Sequence, residues 1–482
     1  MHIVSTLLEI IFVLNLIFAI FTVFKEKRDI SATWAWLLVL LLLPVVGFIM
    51  YLFVGKKLSK DDIYDIKTQQ QMGLDQLVNL QKEQWHKKDL LPADEITDTS
   101  REMVHLFLET DKSILTKYNE VKLLTDGEQK FAELFADIKA AKDHVHIEYY
   151  TFYNDRIGNQ LRELLEKKAA EGVKVRVIYD SFGSRGTTHK FFQKLEQLGG
   201  SAEPFFGSYR SFPNLRLNYR DHRKLVIIDG TIGYIGGFNV GDQYLGRSPK
   251  FGNWRDTHIK ITGNAVIAMQ SRFFMDWNAT VKEKKVTYHE NYFPLSEAKG
   301  NVGIQIVSSG PESQVQKIKL GYIKMINNAD HEVLIQTPYL IPDDSLYEAL
   351  SLAAFSGIKV KIMIPSMPDH PFVYRATQYY AHALLENGVE IYQYQKGFLH
   401  AKTLVVDGQI SSVGSANLDY RSFKLNFESN AFLYDPEFSE KMRQTFLQDV
   451  TNSKQLTLED FAAQSKWLRF KQYFSRLLSP IL

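Results

Sequence analysis

Two stretches of the chain repeat one pattern and decide its fold. They are His222-Arg223-Lys224-Leu225-Val226-Ile227-Ile228-Asp229-Gly230 and His400-Ala401-Lys402-Thr403-Leu404-Val405-Val406-Asp407-Gly408. A second repeated signal follows at the same distance, Gly236-Gly237-Phe238-Asn239 in the first copy and Gly414-Ser415-Ala416-Asn417 in the second. Each histidine stands two residues before its lysine and 17 before its asparagine. This matched spacing indicates an internal duplication.

The sequence upstream of each stretch repeats as well. Each copy has an apolar run, a helical pattern, a glycine and a second apolar run, at 145–150, 158–171, Gly172 and 173–179 in the first copy and at 333–336, 345–356, Gly357 and 358–364 in the second. This order is typical of a βαβ unit whose helix ends at a glycine. Continuous apolar strands favour sheets covered on both faces. We therefore predict an α/β protein of two duplicated halves packed together, with the active site between them.

The geometry of a strand predicts which side chains of each stretch act together. Residues i and i+2 of a strand point to the same side, so the histidine and the lysine of each stretch point together. Asp229 and Asp407 each stand before a glycine, and Asp-Gly is a strong hairpin-turn signal. Their odd spacing from the histidine places them on the opposite face of a straight strand. We therefore interpret both aspartates as structural members of the catalytic motif.

The repeated residues suit the chemistry of a phosphodiester. A single His-x-Lys pair is commonly a surface polar pair, but two matched copies favour catalysis. The lysines and the amides would neutralise the phosphoryl oxygens, one neutral histidine would attack phosphorus, and the other would protonate the leaving alkoxide. These cations take the role of a metal, so the pattern requires neither a metal ion nor a cofactor. The candidate catalytic residues are His222, Lys224, Asp229, His400, Lys402 and Asp407.

Further polar residues are candidates for supporting this group. Each catalytic histidine needs an acceptor that orients its second ring nitrogen. Glu428 lies 28 residues after His400, and Asp256 lies 34 residues after His222. These two carboxylates are the candidate orienting groups, although either one alone is more often an ordinary solvated acid. The candidates for binding or supporting the phosphate are Asn239, Asn417 and Ser415.

Composition excludes several classes of protein. The 482 residues are long enough for about three domains. A formal net charge of +2 argues against a polycation that coats nucleic acid, so we expect no nucleic-acid partner. Hydrophobic residues make up 45% of the chain, which excludes bulk disorder. The chain has no cysteine, which excludes disulfides, thiolate zinc sites and cysteine nucleophiles together.

The first 60 residues predict a transmembrane hairpin. Apolar segments at 3–24 and 32–54 are separated by the charged link 25–29. Twenty-two helical residues extend about 33 Å, enough to cross a hydrocarbon core of about 30 Å. A cleaved signal peptide fits poorly, since there is no basic segment before the apolar one, whereas a re-entrant or interfacial arrangement stays open. The lysine and arginine counts tie, so charge does not decide the orientation.

The chain as a whole divides into five parts. These are the hairpin (1–60), a helical connector (61–120), the first half (121–300), the second half (301–450) and an amphipathic C-terminal tail (451–482). In the tail, Trp467, Phe470 and Phe474 follow helical spacing among lysines and arginines. That pattern fits either docking on an anionic membrane surface or packing on the protein core.

The paired His-x-Lys-x₄-Asp motifs resemble those of the phospholipase D superfamily. Two apolar N-terminal segments ahead of two such halves are similar to the bacterial cardiolipin synthase family. This similarity rests also on Trp34-Ala35-Trp36, Leu43-Pro44-Val45-Val46-Gly47 and Asn218-Tyr219-Arg220-Asp221-His222-Arg223-Lys224. The resemblance implies two phospholipase D-like halves. It also implies transfer of a phosphatidyl group from one phosphatidylglycerol to the glycerol hydroxyl of another, giving cardiolipin and glycerol.

The same resemblance implies roles and a location. His222 would be the nucleophile and His400 the general acid, no metal would be needed, and the active site would face the cytoplasm at the cell membrane. Its partners would be phosphatidylglycerol, cardiolipin and the lipid bilayer, and a homo-oligomer stays open. One position departs from the superfamily pattern. Gly237 stands where many members carry serine, whereas Ser415 keeps it, so the two halves are unequal.

Other functions remain open on the sequence alone. Water as acceptor would give a phospholipase D, and another alcohol would give a different phosphatidyltransferase. A nuclease of the same superfamily fits less well, because the hairpin would be unneeded and the net charge is near zero. A catalytically silent membrane scaffold is the alternative from a different class. The intact histidine and lysine of both copies argue against it.

Overall fold

The computed structural model describes residues 74–86, 98–205, 218–296 and 300–480, together with 30–43 and a few separate positions among the first 51. Most of the predicted apolar segment at 3–24, and residues 44–45, 48–50 and 52–54 of the second segment, therefore lie outside the described residues. The described part of the second segment contains a helix of 13 residues, α1 (Ile30–Leu42). Within the described residues, no helix is both long enough and apolar enough to cross a membrane.

Helices and strands alternate through the rest of the chain. The further helices are α2 (Leu74–His86), α3 (Asp98–Thr110), α4 (Gly127–Ala140), α5 (Arg156–Ala170), α6 (His189–Gln197), α7 (Ala265–Thr280), α8 (Lys317–Asn327), α9 (Asp344–Phe355), α10 (Pro371–Glu386), α11 (Tyr420–Lys424), α12 (Pro436–Val450), α13 (Leu458–Ala462) and α14 (Lys466–Leu477). The strands up to residue 263 are β1 (Asn119–Leu124), β2 (His144–Tyr149), β3 (Lys174–Tyr179), β4 (Ser201–Pro204), β5 (Arg220–Asp221), β6 (Lys224–Ile228), β7 (Ile232–Gly236), β8 (Trp254–Arg255) and β9 (His258–Gly263). Those that follow are β10 (Gly303–Ser309), β11 (Glu332–Gln336), β12 (Leu340–Ile341), β13 (Lys359–Pro365), β14 (Glu390–Tyr394), β15 (Phe398–Leu399), β16 (Thr403–Val406), β17 (Ile410–Gly414), β18 (Leu418–Asp419), β19 (Asn426–Tyr434) and β20 (Ser453–Gln455).

Two mixed sheets share one strand order. The first runs β1-β9-β7-β6-β2-β3-β4, and the second runs β10-β19-β17-β16-β11-β13-β14 with β20 added at its edge. In both sheets three neighbouring strands are parallel, β2-β3-β4 in the first and β11-β13-β14 in the second. The motif strands β6 and β16 pair antiparallel with the first parallel strand of their own half. The duplicated α/β fold predicted from the repeated sequence is therefore confirmed.

Local signals explain why the βαβ units form where the sequence predicts them. All six residues of β2 are buried, as expected of a strand covered on both faces. The side chain of Asp155 caps α5 by accepting a hydrogen bond from the N–H of Gly158, and Asp343 caps α9 in the same way. Gly172 and Gly357 follow the two helices with φ of 89° and 90°, a conformation that strains other residues.

Asp229 and Asp407 form the hairpin turns between β6 and β7 and between β16 and β17. Both have positive φ, 50° and 52°, and each is followed by a glycine that also has positive φ. The Asp229 carboxylate accepts hydrogen bonds from the N–H groups of residues 142–144, and that of Asp407 from residues 330–332, at 2.7–2.9 Å. The two carboxylates thus fix the start of β2 and β11, at the strand end away from the histidines. These contacts support the structural interpretation of both aspartates, and neither carboxylate contacts a motif histidine.

The two halves meet through short cross-half strand pairs. Strand β5 pairs in parallel with β19, and β8 pairs in parallel with β15. The N–H of His222 donates to the carbonyl of Phe427 at 2.9 Å, and the N–H of His400 donates to that of Arg255 at 2.7 Å. One buried hydrophobic cluster includes Leu225 of the first sheet and Val413 of the second. Each motif histidine therefore lies on the boundary between the halves.

Two helices of the predicted connector and two of the tail pack on the second half. Helix α3 contributes Phe107, whose ring lies 4.5 Å from that of Phe432 on β19. Helix α14 lies against α10, where the rings of Tyr473 and Tyr379 are 5.2 Å apart. The buried side chains of α14 are Gln472 and Ser475. Helix α14 therefore packs on the protein through polar residues, and large apolar side chains such as Trp467 are exposed, whereas Leu456 and Phe461 of the preceding tail join the hydrophobic core.

Candidate active site

The first motif histidine is held by a carboxylate from the opposite half. The Nδ1 of His222 lies 2.9 Å from Oε1 and 3.0 Å from Oε2 of Glu428, at the start of β19. Both residues are buried. Because Nδ1 is engaged with the carboxylate, Nε2 is the ring nitrogen left for chemistry.

The second motif histidine has the equivalent arrangement, with its carboxylate supplied by the first half. The Nδ1 of His400 lies 2.6 Å from Oδ2 of Asp256, which follows β8 in the first half. In the sequence, Asp256 follows His222 and Glu428 follows His400, so each carboxylate follows the histidine of its own half. The fold instead exchanges them, so that each histidine is oriented by the partner half. Neither half contains a complete histidine–carboxylate pair by itself.

The motif lysines lie beside their histidines. The Nζ of Lys224 donates to the carbonyl of His222 at 2.5 Å, and the Nζ of Lys402 donates to that of His400. Both ammonium groups are almost fully buried. The charge of Lys402 acts on His222, and that of Lys224 acts on His400. The two motifs therefore form one electrostatically coupled centre.

Burial and charge set the protonation of this centre. Burial and the lysine charges lower the pKa of His222 to about 4, against the opposing effect of Glu428. Burial likewise lowers the pKa of His400, of Lys224 to about 7 and of Lys402 to about 8. For Glu428, burial raises the pKa, but the charges and hydrogen bonds of His222 and its neighbours outweigh it and the net pKa is lowered. The site therefore favours neutral imidazoles, charged carboxylates and lysines that titrate near neutral pH.

The unequal pair Gly237 and Ser415 is explained by the unequal carboxylates. A Cβ at Gly237 would lie 2.0 Å from Oδ1 of Asp256, so no side chain fits there. In the other half, the hydroxyl of Ser415 donates to Oε2 of Glu428. The first half thus combines glycine with the shorter aspartate, and the second combines serine with the longer glutamate. The hydroxyl of Ser415, a candidate for phosphate support, thus contacts the orienting carboxylate.

The two repeated asparagines are buried but have different contacts. Oδ1 of Asn239 accepts a hydrogen bond from the N–H of Thr151, just beyond β2, at 3.1 Å, and its Nδ2 donates to the Tyr244 hydroxyl. Asn417 receives no such backbone bond on its side-chain oxygen, which is buried without a partner among the described residues. Its own N–H donates to Ser422 Oγ at 3.1 Å. Asn239 therefore acts as a support in the structure.

Aromatic residues that the sequence did not single out flank both histidines. The ring of Tyr150 meets that of His222 edge-on at 4.9 Å, and Lys224 Nζ lies 5.4 Å from the Tyr150 centroid. The ring of Trp254 lies 5.1 Å from that of His400. These rings help to exclude water from the imidazoles. Their positions in the sequence could have identified them, because Tyr150 directly follows β2 and Trp254 stands two residues before Asp256.

Additional charged groups border the centre on the side of the second half. Asp369 accepts a hydrogen bond from the hydroxyl of Tyr339. The charge of Asp369 partly opposes the lowering of the Lys402 pKa by burial. Burial raises the pKa of Asp419 to about 6.

Among the described residues, no group of three or more histidine, aspartate or glutamate side chains is arranged to hold a metal ion.

Comparison with known proteins identifies the family. The sequence model described as cardiolipin synthase, PLD-like domain, matches residues 134–260 and 322–450, which contain both motifs. A cardiolipin synthase of Listeria innocua is 53% identical over 482 residues, covering 100% of both chains. The chain belongs to the cardiolipin synthase family of the phospholipase D superfamily. It is accordingly an enzyme of the phosphatidyltransferase class.

Other relatives agree with this membership. The major cardiolipin synthase of Bacillus subtilis is 50% identical over 482 residues, covering 100% of both chains. The model described as phospholipase D-nuclease N-terminal matches residues 13–56. Among solved structures, a phosphatidylserine synthase of Haemophilus influenzae has a TM-score of 0.61 at 16% identity, covering 80% of this chain and 100% of that chain. This last similarity supports the fold alone.

Proposed function

We propose that the chain transfers the phosphatidyl group of one phosphatidylglycerol molecule to a hydroxyl of a second one, releasing glycerol. This proposal rests on His222 and His400. Each is bound at Nδ1 by a carboxylate from the other half, and each is accompanied by a buried lysine. With two imidazoles, one can attack phosphorus while the other serves first as acid and then as base. Two equivalent imidazoles at one centre suit two successive displacements at phosphorus, which pass through a covalent intermediate.

In the first step, Nε2 of His222 attacks phosphorus and forms the N–P bond. The bond between phosphorus and the glycerol oxygen breaks, and protonated His400 gives its proton to that oxygen, so that neutral glycerol leaves. Lys224 and Lys402 hold the nonbridging oxygens as charge develops on them. A bound phosphodiester places negative charge beside His400 and restores the protonated form that burial disfavours.

In the second step, the neutral His400 takes the proton of the acceptor hydroxyl. The acceptor oxygen attacks phosphorus, the N–P bond breaks, and His222 returns to its neutral form. The sum is two phosphatidylglycerol molecules converted to cardiolipin and glycerol, with no net proton change. The assignment of His222 as the nucleophile follows the family resemblance. Burial lowers its pKa to about 4, which keeps this imidazole neutral near pH 7, as an attacking imidazole must be.

Product analysis tests this reaction and its alternatives. The purified full chain in mixed micelles with phosphatidylglycerol is expected to yield cardiolipin and glycerol, as read by mass spectrometry. Phosphatidic acid and glycerol would instead indicate a hydrolase. Added alcohols test other acceptors. Intact lipid, together with unchanged lipid composition in cells carrying His222→Ala, would favour a silent scaffold.

We further propose that the first 60 residues form a transmembrane hairpin with the catalytic part on the cytoplasmic face. The chain has no cysteine, so a single introduced cysteine reports its own accessibility. Lys27→Cys, in the charged link, should react with a membrane-impermeant maleimide in intact cells. Glu83→Cys, on α2, should react only after lysis. Equal labelling of both in intact cells would contradict the hairpin.

Helix α14 supports contact with an anionic lipid surface. Its apolar side chains are exposed, 64% for Trp467, 57% for Phe470 and 72% for Leu477. The helix carries lysines and arginines and no acidic residue. Aromatic and basic residues on one exposed helix match the interface of a bilayer rich in anionic lipid. The chain would therefore rest on the membrane at both ends.

A fluorescent probe tests this contact in the full chain. A polarity-sensitive dye on Phe470→Cys should shift to shorter wavelength in nanodiscs that contain anionic lipid, and less so at high salt. The matched control is the same dye on Phe355→Cys, since Phe355 is 70% exposed on α9 near the start of β13. The same spectrum at both sites would contradict docking by α14.

A further inference from the structure

A buried arginine sits behind each histidine–carboxylate pair. The first is Arg223, between the histidine and the lysine of the first motif, and it is completely buried. Its Nε lies 3.3 Å from the carbonyl oxygen of Glu428 and 3.1 Å from Oγ of Ser429. Its Nη1 lies 3.0 Å from Oδ2 of Asp276 on α7. Arg223 therefore reaches across the boundary between the halves and grips the backbone of the residue that orients His222.

The second arginine makes the same contacts on the other pair. Nη1 of Arg255 donates to the carbonyl of Asp256 and lies 3.0 Å from Oγ1 of Thr257. Its Nε lies 2.8 Å from Oδ2 of Asp449 on α12. Each guanidinium thus bonds the carbonyl of an orienting residue, the hydroxyl of the next residue, and an aspartate on the helix that follows the last strand of a half.

The strand register shows that the two arginines occupy non-equivalent positions in the repeat. Gly236 lies opposite His258, and Gly414 lies opposite Asn430, which aligns the two halves residue by residue. In that alignment Asp256 matches Glu428, so Arg255 matches Phe427. Arg223 in turn matches Ala401, because the two motifs align at their histidines.

The contact across the boundary is therefore built in two complementary ways. At His222, the middle residue of the motif is Arg223 and the residue before the carboxylate is Phe427, over whose ring Arg223 lies at 5.3 Å. At His400, the middle residue is Ala401 and the residue before the carboxylate is Arg255. Each histidine–carboxylate pair thus has one arginine. At His222 it is the middle residue of the motif, and at His400 it is the residue before the carboxylate.

We propose that Arg223 and Arg255 are a matched pair of positioning residues, one for each histidine–carboxylate pair, and that Ala401 is an alanine because Arg255 supplies the guanidinium from the neighbouring strand. Each arginine fixes the backbone from which the carboxylate projects. A guanidinium suits this task, because its planar fork satisfies several buried acceptors in a fixed geometry. The inference rests on the proposed function only in treating the two imidazoles as reacting groups.

Relocating one guanidinium tests the proposal. Arg255→Phe should lower kcat by about tenfold or more, the size expected when a group that orients a reacting side chain is lost. Ala401→Arg alone should also lower kcat, since it crowds two guanidinium groups together. The double variant Arg255→Phe with Ala401→Arg rebuilds at His400 the arrangement found at His222. It should recover most of the activity that Arg255→Phe loses. The effects of the two single substitutions would then not add, because the two positions are coupled.

Three further variants separate positioning from loss of folding. Arg255→Lys and Arg223→Lys keep a charge beside the buried aspartates but lose the fork, so they should fold and still turn over slowly. Arg443→Gln is the matched control, because Arg443 on α12 pairs with Glu332 at the far end of β11. Its kcat should equal that of the wild type. A lysine variant with wild-type kcat would overturn the proposal.

A spectroscopic measurement keeps the inference independent of the proposed reaction. In the full chain labelled with ¹⁵N-histidine, the Nδ1 protons bound to Asp256 and Glu428 should resonate far downfield, and Asp256→Asn and Glu428→Gln assign them. Arg255→Lys should broaden or shift the His400 signal and leave that of His222, and Arg223→Lys should do the reverse. Unchanged signals in both variants would overturn the positioning role, even if the enzyme proved to be a hydrolase.

Discussion

His222 and Glu428 lie 206 residues apart in the chain, yet Nδ1 of the histidine is 2.9 Å from Oε1 of the glutamate. His400 and Asp256 form the reciprocal pair across 144 residues. Both halves therefore contribute to each pair, since each half supplies the histidine of one pair and the carboxylate of the other. Duplication produced two halves that depend on each other.

Removing the charge of an orienting carboxylate should impair its histidine. Glu428→Gln keeps the size of the side chain but no longer fixes the tautomer of His222, so kcat should fall by about a hundredfold or more. Asp256→Asn should act in the same way through His400. Steady-state kinetics on phosphatidylglycerol check both, with Glu440→Gln on the exposed face of α12 as the control. A wild-type rate in either variant would show that the carboxylate is dispensable.

Exchanging the residues at 237 and 415 should have unequal effects. Gly237→Ser forces its Cβ against Asp256, 2.0 Å away, so it should displace that carboxylate and nearly abolish turnover. Ser415→Ala removes the hydroxyl that donates to the Glu428 carboxylate and accepts from the N–H of Ser429, and should lower kcat by about tenfold. Equal effects of the two substitutions would contradict the explanation of this asymmetry.

The hairpin-turn aspartates should matter for stability and not for the chemical step. Asp407→Ala leaves three backbone N–H groups without their acceptor and places alanine at positive φ, which should cost about 1–3 kcal/mol. The thermal midpoint should drop by a few degrees, while kcat per folded enzyme stays within about twofold of the wild type. A large fall in kcat of fully folded protein would return Asp407 to the catalytic group.

The lysines should give the enzyme opposite pH dependences of activity and stability. Folding lowers the pKa of Lys224 to about 7 and of Lys402 to about 8, below the ordinary 10.5. Above those values the folded site loses the cations that bind phosphate, so kcat/KM should fall as pH rises past 7. Over the same window the unfolded chain binds more protons than the folded one, so these groups make stability rise with pH.

Rates and thermal midpoints between pH 6 and 10 check both signs. The decline of kcat should lie at higher pH than that of kcat/KM, because the bound phosphodiester raises the lysine pKa values. Lys224→Arg stays charged throughout this range, so any activity that it retains should lose the lower step. A kcat/KM that climbs steadily to pH 10 would contradict these protonation states.

The fold could be predicted from the sequence because its determinants are local. The βαβ boundaries follow from apolar runs and from Gly172 and Gly357, and the turns follow from the two Asp-Gly pairs. Internal repetition then supplied the second sheet. The histidines, the lysines and both carboxylates were likewise found as repeated or suitably placed polar residues.

The pairing within the site could not be predicted, because it depends on how the halves pack. Nothing in the spacing of His222 from Asp256 shows that the fold assigns this histidine to Glu428. Arg223 and Arg255 were not predicted for the same reason: they occupy different positions of the repeat, and their similar contacts are visible only in the folded structure. The difference between Arg223 and Ala401 was the available signal, and it becomes interpretable with the structure.

The most direct test of the account is to locate the covalent intermediate. The full chain is mixed with phosphatidylglycerol labelled at phosphorus, quenched within milliseconds in alkali, where phosphohistidine survives, and analysed by peptide mass spectrometry. The account predicts a phosphorus-labelled adduct on His222 alone, phosphatidyl or, after alkali removes its acyl chains, glycerophosphoryl, and absent from His222→Ala. An adduct on His400, or cardiolipin formed at full rate with neither histidine modified, would contradict it.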